Sequence, residues 1–282
     1  MAGVAAHPDD FTRRESAPYN RPVITQPPLA ANLSFLFTER PFLERFAAAR
    51  AAGFTGVEFH FPYAEDKSVL AEVALSNGLD VVLFNLPAGD WAAGERGIAC
   101  HPGREVEFRA GVARALDYAA ALDCPRLNCL AGIVPPGVAR ERAMETLVDN
   151  LRHAADACAA AGVRLLLEPL NTRDNPGFLI ATTREALVAI DAAGGRARLQ
   201  YDVYHAQVME GDLANTLATH LDRIGHIQIA DNPGRHEPGS GEINFPFLFA
   251  HLRRLGYAGW VSCEYRPRAA TEDGFAWMET CR

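Results

Sequence analysis

The chain has 282 residues, of which 49% are apolar, and its formal net charge is −8. This length fits one large α/β barrel, and the apolar fraction is enough for a large core. The acids are scattered rather than clustered, and an acidic chain lacks the basic surface that binds phosphates, so nucleic acid is not expected as a partner. No apolar run approaches the roughly 20 residues of a membrane-spanning helix, so no membrane partner is expected either.

The N-terminal segment differs in composition from the rest of the chain. Residues 1–30 are polar and rich in proline, without the apolar stretch of a signal peptide. We therefore predict a flexible N-terminal arm at 1–30, followed by one catalytic domain at 31–282. The six cysteines show no C-x-x-C pair and no small-scaffold spacing. They are typical of thiols in a reducing cytosol, and the predicted location is the cytoplasm.

From residue 31 onward, short apolar runs of strand type alternate with amphipathic, alanine-rich stretches. Strands are predicted at 31–35, 54–60, 79–84, 126–130, 163–168, 197–202, 224–229 and 259–264. Helices are predicted near 39–52, 66–77, 104–122, 140–161, 182–193, 212–221, 245–255 and 271–280. Thr182, Thr183 and Asn244 are plausible helix N-caps, and glycines follow several helices at the position of the C-cap. Eight alternating pairs predict a single (β/α)₈ TIM barrel.

Two long segments interrupt this rhythm, at 85–103 and 230–244. Both follow predicted strands, so both are expected at the end of the barrel where βα loops carry the active site.

Four acid or amide side chains each close an apolar run in the second half of the chain. They are Glu168, Asp202, Gln228 and Glu264, at the ends of the predicted fifth to eighth strands. The C-terminal ends of barrel strands converge on one mouth, so we expect these four oxygen donors to meet around one cation. Carboxylate and amide oxygens suit Mg²⁺ or Mn²⁺ better than Zn²⁺. A single such carboxylate would more simply be a helix cap, but four on consecutive strands indicate a metal site.

Several residues near the predicted mouth are candidates for substrate binding. His205, three residues past Asp202, is expected either to donate a hydrogen bond to a substrate hydroxyl or to bind the metal as a fifth ligand. Arg235, on the glycine-rich loop, is a candidate clamp for a substrate carboxylate. His60 ends the second strand, and alternation places it on the same face as Glu58, so the two are expected to point inward together.

The loop after the third strand supplies the remaining candidates. Trp91 and Arg96 lie in GDWAAGERG; the tryptophan is interpreted either as a cover that excludes water or as a plug at the rim or an oligomer contact. Asn85 and Asn128 end the third and fourth strands and are expected on the pocket floor. The chain has no G-x-S-x-G elbow, no Walker A motif and no G-x-G-x-x-G turn, which argues against those chemistries.

Seven segments of the chain are distinctive: ANLSFLFTERPFLERF, GFTGVEFHFPY, NLPAGDWAAGERGIACHPGRE, LLLEPLNTRDNPGF, QYDVYHAQVMEGDL, GHIQIADNPGRHEPGSGEIN and CEYRP. They resemble the hydroxypyruvate isomerase family, which belongs to the xylose-isomerase-like (β/α)₈ barrels and includes 2-oxo-tetronate isomerases. The resemblance implies a divalent metal at the same four positions, with Glu168 and Glu264 as the proton-transferring pair. It also implies a small hydroxy-oxo acid as substrate.

The sequence leaves several alternatives open. Segments LAGIVPPG and LNTRDNPGF look more like the 2-oxo-tetronate branch, whereas ADNPGRHEPGSGEIN looks closer to the hydroxypyruvate branch. His60 stands where the resemblance to the family leads us to expect an aliphatic residue.

Other functions also remain open. A sugar C3-epimerase or dehydratase would use the same barrel and metal, and a non-enzymatic sugar-acid sensor is a further hypothesis. An endonuclease-IV-like nuclease would need several metal-site histidines and a basic groove. A homo-oligomer is compatible with the sequence.

Overall fold

The computed structural model describes residues 26–281, and in them eight parallel strands close into a barrel. The strands are β1 Leu29–Asn32, β2 Gly56–Phe59, β3 Asp80–Asn85, β4 Arg126–Cys129, β5 Arg164–Leu167, β6 Arg198–Asp202, β7 Ile224–Ile229 and β8 Val261–Cys263. They follow one another in chain order, and β8 closes the barrel against β1. The predicted barrel is confirmed. Residues 1–25 of the flexible arm predicted at 1–30 lie outside the described residues. Leu29 and Ala30 do not belong to an arm, because they pair with β8 as part of β1, which begins and ends earlier than the strand predicted at 31–35.

Helices on the outside of the barrel connect the strands. They are α1 Glu44–Ala51, α2 Lys67–Ser76, α3 Glu105–Ala121, α4 Arg140–Ala160, α5 Thr183–Ala192, α6 Val203–Met209, α7 Leu213–His220, α8 Phe245–Leu255 and α9 Trp277–Thr280. Three differ from the sequence prediction, the first being α1, which begins at Glu44 rather than near 39. Helix α6 follows β6 directly, because Asp202 caps its first turn through Tyr204 N–H, and the helix predicted at 271–280 is a 3₁₀ turn followed by the short α9.

Local signals in the sequence account for the helix boundaries. The hydroxyl of Thr182 accepts the N–H of Glu185 at 3.2 Å, and the side chain of Asn244 accepts the N–H of Phe247 at 3.1 Å. The predicted N-caps Thr182 and Asn244 are therefore confirmed, whereas Thr183 is the first residue of α5. Helix α8 ends at Gly256, whose φ of 79° is the left-handed conformation that favours glycine.

The barrel interior changes character from one end to the other. A small apolar cluster of Ala30, Val82, Leu83 and Leu166, with Trp260 packed against it, fills the end near the strand N-termini. A Cβ at Gly56 would lie 2.7 Å from the Trp260 ring, so only glycine leaves room for this indole. Toward the strand C-termini, buried polar side chains replace the apolar ones. Among residues 26–281, no helix is both long and apolar enough to cross a membrane.

Candidate active site at the C-terminal end of the barrel

The four predicted metal-binding residues lie at adjacent strand ends. Asp202 and Gln228 belong to β6 and β7, and Glu168 and Glu264 are the first residues after β5 and β8. All four are 2–4% exposed. Candidate ligand atoms of Glu168, Asp202 and His205 lie within 4.8 Å of one another. The end of β6, the first turn of α6 and the residue after β5 therefore bring two carboxylates and an imidazole together.

Burial is the largest influence on the pKa values of Glu168 and Asp202. Burial raises the pKa of Glu168 well above its ordinary value, and the charges of Glu264 and Asp202 raise it further. Burial also raises the pKa of Asp202 to about 7, against the lowering effect of Arg235. The described site thus places three carboxyl groups around one buried guanidinium, which cannot balance all three if they ionise.

Arg235 is the cation of this site. Its Nη2 donates to Glu264 Oε1 at 2.7 Å and to Asp202 Oδ2 at 3.1 Å. Its guanidinium lies 4.8 Å from the Phe35 ring centroid and 5.3 Å from that of Tyr204, which hold it between two aromatic faces. In this arrangement the guanidinium is hydrogen-bonded to two protein carboxylates. Its role as a clamp for a substrate carboxylate stays a prediction.

The loop that carries Arg235 is fastened by one buried carboxylate, which the sequence analysis did not identify. Asp231 Oδ2 accepts the N–H groups of Gly239 and Gly241 at 2.9 and 2.8 Å. Its Oδ1 accepts those of Asn232 and Ile243 at 2.9 and 3.1 Å. Hydrogen bonds from four backbone N–H groups to this one carboxylate therefore hold the loop in its conformation, in addition to side-chain packing. An Asp at the end of a strand run, followed by glycines, is the signal that was available in the sequence.

His205 has a defined tautomer in this arrangement. Its Nδ1 accepts the backbone N–H of Asn171 at 3.1 Å, while its Nε2 lies 3.5 Å from Asp202 Oδ2. Burial, with the nearby charge of Arg235, lowers the pKa of His205 well below its ordinary value. A neutral ring that accepts at Nδ1 carries its proton on Nε2. This geometry favours His205 as a hydrogen-bond donor over His205 as a fifth metal ligand.

Glu264 and Glu168 each have further polar partners. The ring nitrogen Nε2 of His60 lies 3.2 Å from Glu264 Oε1, and the amide nitrogen of Gln228 donates to Glu264 Oε2 in a short hydrogen bond. Asn128 Nδ2 donates to Glu168 Oε2 at 2.8 Å. The two glutamates are thus held by separate groups of neighbours.

A cavity of about 260 Å³ opens above these carboxylates. All six predicted substrate-binding residues line it, together with both glutamates: His60, Asn85, Trp91, Arg96, His205, Arg235, Glu168 and Glu264. Phe35 and Arg266 line it too, and the sequence analysis did not single them out. Asp202 and Gln228 are absent from the lining and lie deeper.

Trp91 and Arg96 form one side of the mouth. The Arg96 guanidinium lies 4.0 Å from the Trp91 ring centroid, and its Nη1 donates to the backbone oxygen of Glu95 at 2.8 Å. Trp91 also contacts Phe61, with ring centroids 5.0 Å apart, and stays 39% exposed. Its place on the cavity wall fits a cover over the pocket, one of the two roles expected from the sequence.

Comparison with known proteins agrees with this geometry. The family described as xylose isomerase-like TIM barrel matches residues 46–281. The chain belongs to this family. It is 54% identical over 254 residues to hydroxypyruvate isomerase of Escherichia coli, which covers 90% of this chain and 98% of that protein. It is 47% identical to 2-oxo-tetronate isomerase of Cupriavidus necator, with coverage of 90% and 98%.

A solved structure of the same fold is also similar. It is described as an AP endonuclease, family 2, from Brucella melitensis, with a TM-score of 0.88 and 49% identity. The match covers 91% of this chain and 99% of that one. Together these comparisons confirm the resemblance that the sequence segments indicated.

Proposed function

We propose that the protein is a metal-dependent aldose–ketose isomerase that interconverts hydroxypyruvate and 2-hydroxy-3-oxopropanoate by proton transfer through an enediolate. The observation that carries the proposal is the pair Glu168 and Glu264, two buried carboxylates that both line one small cavity. The 54% identity to hydroxypyruvate isomerase of E. coli supports the same reaction.

The residues present suit a hard divalent cation such as Mg²⁺ or Mn²⁺. Three buried carboxyl groups face one guanidinium, and burial, together with the charges of the neighbouring carboxylates, raises the pKa of Glu168 and Asp202. The ion would be held by carboxylate oxygens of Glu168, Asp202 and Glu264, with the amide oxygen of Gln228 as a fourth donor. When bound, it would polarise the substrate carbonyl and stabilise negative charge on the substrate oxygens.

The proposed proton transfers use the two glutamates. One accepts a proton from the hydroxyl-bearing carbon beside the carbonyl, which leaves an enediolate. The other returns a proton to the former carbonyl carbon, and the hydroxyl proton passes to the former carbonyl oxygen, so that atoms balance. Positioned acid and base groups contribute roughly 10²–10⁴-fold to such a reaction. His205, protonated at Nε2, is suited to donate a hydrogen bond to a substrate oxygen during these steps.

The cavity is consistent with a small anionic substrate. About 260 Å³ accommodates a three- or four-carbon acid with some water, and Arg96, Arg235 and His60 on its wall supply donors for a carboxylate. The two branches of the family differ by the length of this acid. Interconversion of the 2-oxo-tetronate pair is therefore the closest alternative, supported by 47% identity to that enzyme in C. necator.

Two other functions are less well supported by the site. A sugar C3-epimerase would use the same carboxylates, and product NMR in D₂O separates it from an isomerase by the carbon that gains deuterium. A nuclease is suggested only by the description of the B. melitensis structure. The grouped candidate ligands include one histidine, and the net charge of −8 does not suit a phosphate backbone.

The direct experiment is an assay of the purified protein with both acids, before and after EDTA treatment and after Mg²⁺ or Mn²⁺ is restored. We expect turnover of at least one acid, lost with EDTA and recovered with metal. Absence of turnover of either acid with metal demonstrably bound would remove the proposal. A cytoplasmic location is also proposed, since all six cysteines are free and buried.

A further inference from the structure

Beneath the carboxylate cluster lies a chain of buried polar side chains that makes no contact with the cavity. Glu58, on β2, is its centre, and its side chain points into the barrel, as alternation with His60 predicts. Glu58 is 1% exposed and His226, its neighbour from β7, is 0% exposed. Burying a carboxylate costs free energy unless hydrogen bonds compensate for its lost hydration. The hydrogen-bond partners of Glu58 therefore indicate its role.

Three side chains donate to the Glu58 carboxylate. Asn32 Nδ2 and Gln228 Nε2 both reach Oε1, at 2.8 and 2.7 Å. His226 Nε2 reaches Oε2 at 2.8 Å and lies 2.9 Å from the hydroxyl oxygen of Ser262. Asn32 and His226 lie within the barrel wall away from the cavity. Gln228 is the one partner of the three that continues toward the catalytic end.

Gln228 uses its amide to join two carboxylates. One N–H goes to Glu58, and the same nitrogen donates to Glu264 Oε2, while the amide oxygen accepts Gln200 Nε2 at 2.6 Å. An amide nitrogen has two hydrogens, so both are used and the orientation of the group is determined. The reversed orientation would set the amide oxygen against the oxygens of Glu58 and Glu264, which repel it.

We propose that Glu58 is a positioning residue for the active site: it anchors the amide nitrogen of Gln228 and thereby orients the carboxylate of Glu264. The inference rests on the proposed function, because it assigns Glu58 to the support of the glutamate that transfers a proton. With Oε2 tied to Gln228, Oε1 of Glu264 is the oxygen that faces His60 and Arg235.

The same anchor serves the proposed metal ligation by Gln228. In the present arrangement its amide oxygen faces Gln200, and an N–H cannot coordinate a cation. If Gln228 held a cation, its amide oxygen would have to leave Gln200, and Glu58 would still accept one amide N–H. A partner behind a metal ligand commonly changes metal affinity or activity by 10–100-fold.

The test compares Glu58→Gln with the wild type and with Glu145→Gln, the same chemical change on the surface of α4, where Glu145 forms a salt bridge with Arg142. We expect Glu58→Gln to keep its circular dichroism spectrum, to lose roughly 10–100-fold in kcat with little change in KM, and to weaken Mn²⁺ binding by a similar factor in calorimetry. Glu145→Gln should match the wild type in all three.

A double-mutant cycle separates positioning from a general structural effect. If Glu58 acts through Gln228, Glu58→Gln should cause no further loss of kcat in a Gln228→Ala background. Losses that multiply would overturn the inference, as would a folded Glu58→Gln with kcat and Mn²⁺ affinity within twofold of the wild type. If Glu58→Gln does not fold, Glu58→Asp is the variant to measure. It keeps the charge beside His226 but is one methylene too short to reach Gln228. Wild-type kcat and Mn²⁺ affinity in Glu58→Asp would overturn the inference.

Failure of the proposed function is distinguishable from failure of this inference. If the wild type turns over neither acid, the isomerase proposal fails, and the Mn²⁺ titration alone judges Glu58. Equal affinities in the wild type and Glu58→Gln then refute the anchoring role, and a weakening of roughly 10–100-fold supports it.

Discussion

Replacing Asp231 by Asn tests how the Arg235 loop is held. Asparagine keeps the shape of the side chain but replaces one acceptor oxygen with an NH₂ group, which would face two backbone N–H donors. Hydrogen bonds to a charged group contribute about 1.5–3 kcal/mol each, so losing two predicts a cost of roughly 3–6 kcal/mol. The lower end is expected, because the N–H groups of Gly239 and Gly241 lie near the surface and can turn to water.

The assay is urea unfolding of Asp231→Asn, combined with hydrogen exchange of the 230–244 amides. We expect a fall of about 3 kcal/mol in the free energy of unfolding, and faster exchange at Gly239 and Gly241. Asp66→Asn is the control, since Asp66 is an exposed N-cap that accepts the N–H of Ser68, and Asn and Asp cap helices about equally well. Unchanged stability and exchange in Asp231→Asn would refute the reasoning.

Three further predictions concern the site and the fold. Glu168→Gln and Glu264→Gln should each lose roughly 10²–10⁴-fold in kcat with an unchanged circular dichroism spectrum; near-wild-type turnover in either would exclude that glutamate from proton transfer. His205→Ala should lower kcat/KM by about 10–100-fold, the value of a hydrogen bond to a charged group, and leave Mn²⁺ affinity in calorimetry unchanged; a large loss of affinity would show that His205 is a ligand. Thr182→Ala should lower the free energy of unfolding by about 1 kcal/mol in urea titration, because the N-cap of α5 is lost; no change would mean that water replaces this cap.

Much of the fold could be predicted from the sequence because its signals are local. Alternating periodicity located all eight strands, and the capping side chains of Thr182 and Asn244 marked two helix starts that the structure confirms. Helix α6 is absent from the prediction because its seven residues follow β6 without a loop, and the strand-end pattern favours a ligand role over a cap for Asp202. One side chain performs both tasks, and periodicity does not reveal that.

The sequence predicts which residues lie at the strand ends of the site, but not how their side chains are oriented. Parallel topology places Glu168, Asp202, Gln228 and Glu264 at one mouth whatever their rotamers are. The tautomer of His205 depends on Asn171, which is 34 residues away in the chain, and the orientation of Gln228 depends on Glu58, which is 170 residues away. Such long-range hydrogen bonds follow from the closed barrel and have no counterpart in sequence spacing.

The most direct test of the proposed metal centre is an anomalous difference map from a crystal soaked in Mn²⁺. We predict one strong peak bounded by the carboxylates of Glu168, Asp202 and Glu264, with Arg235 withdrawn from at least one of them. A map without a peak at these strand ends, from a protein that still turns over its substrate after EDTA treatment, would contradict the metal-dependent mechanism.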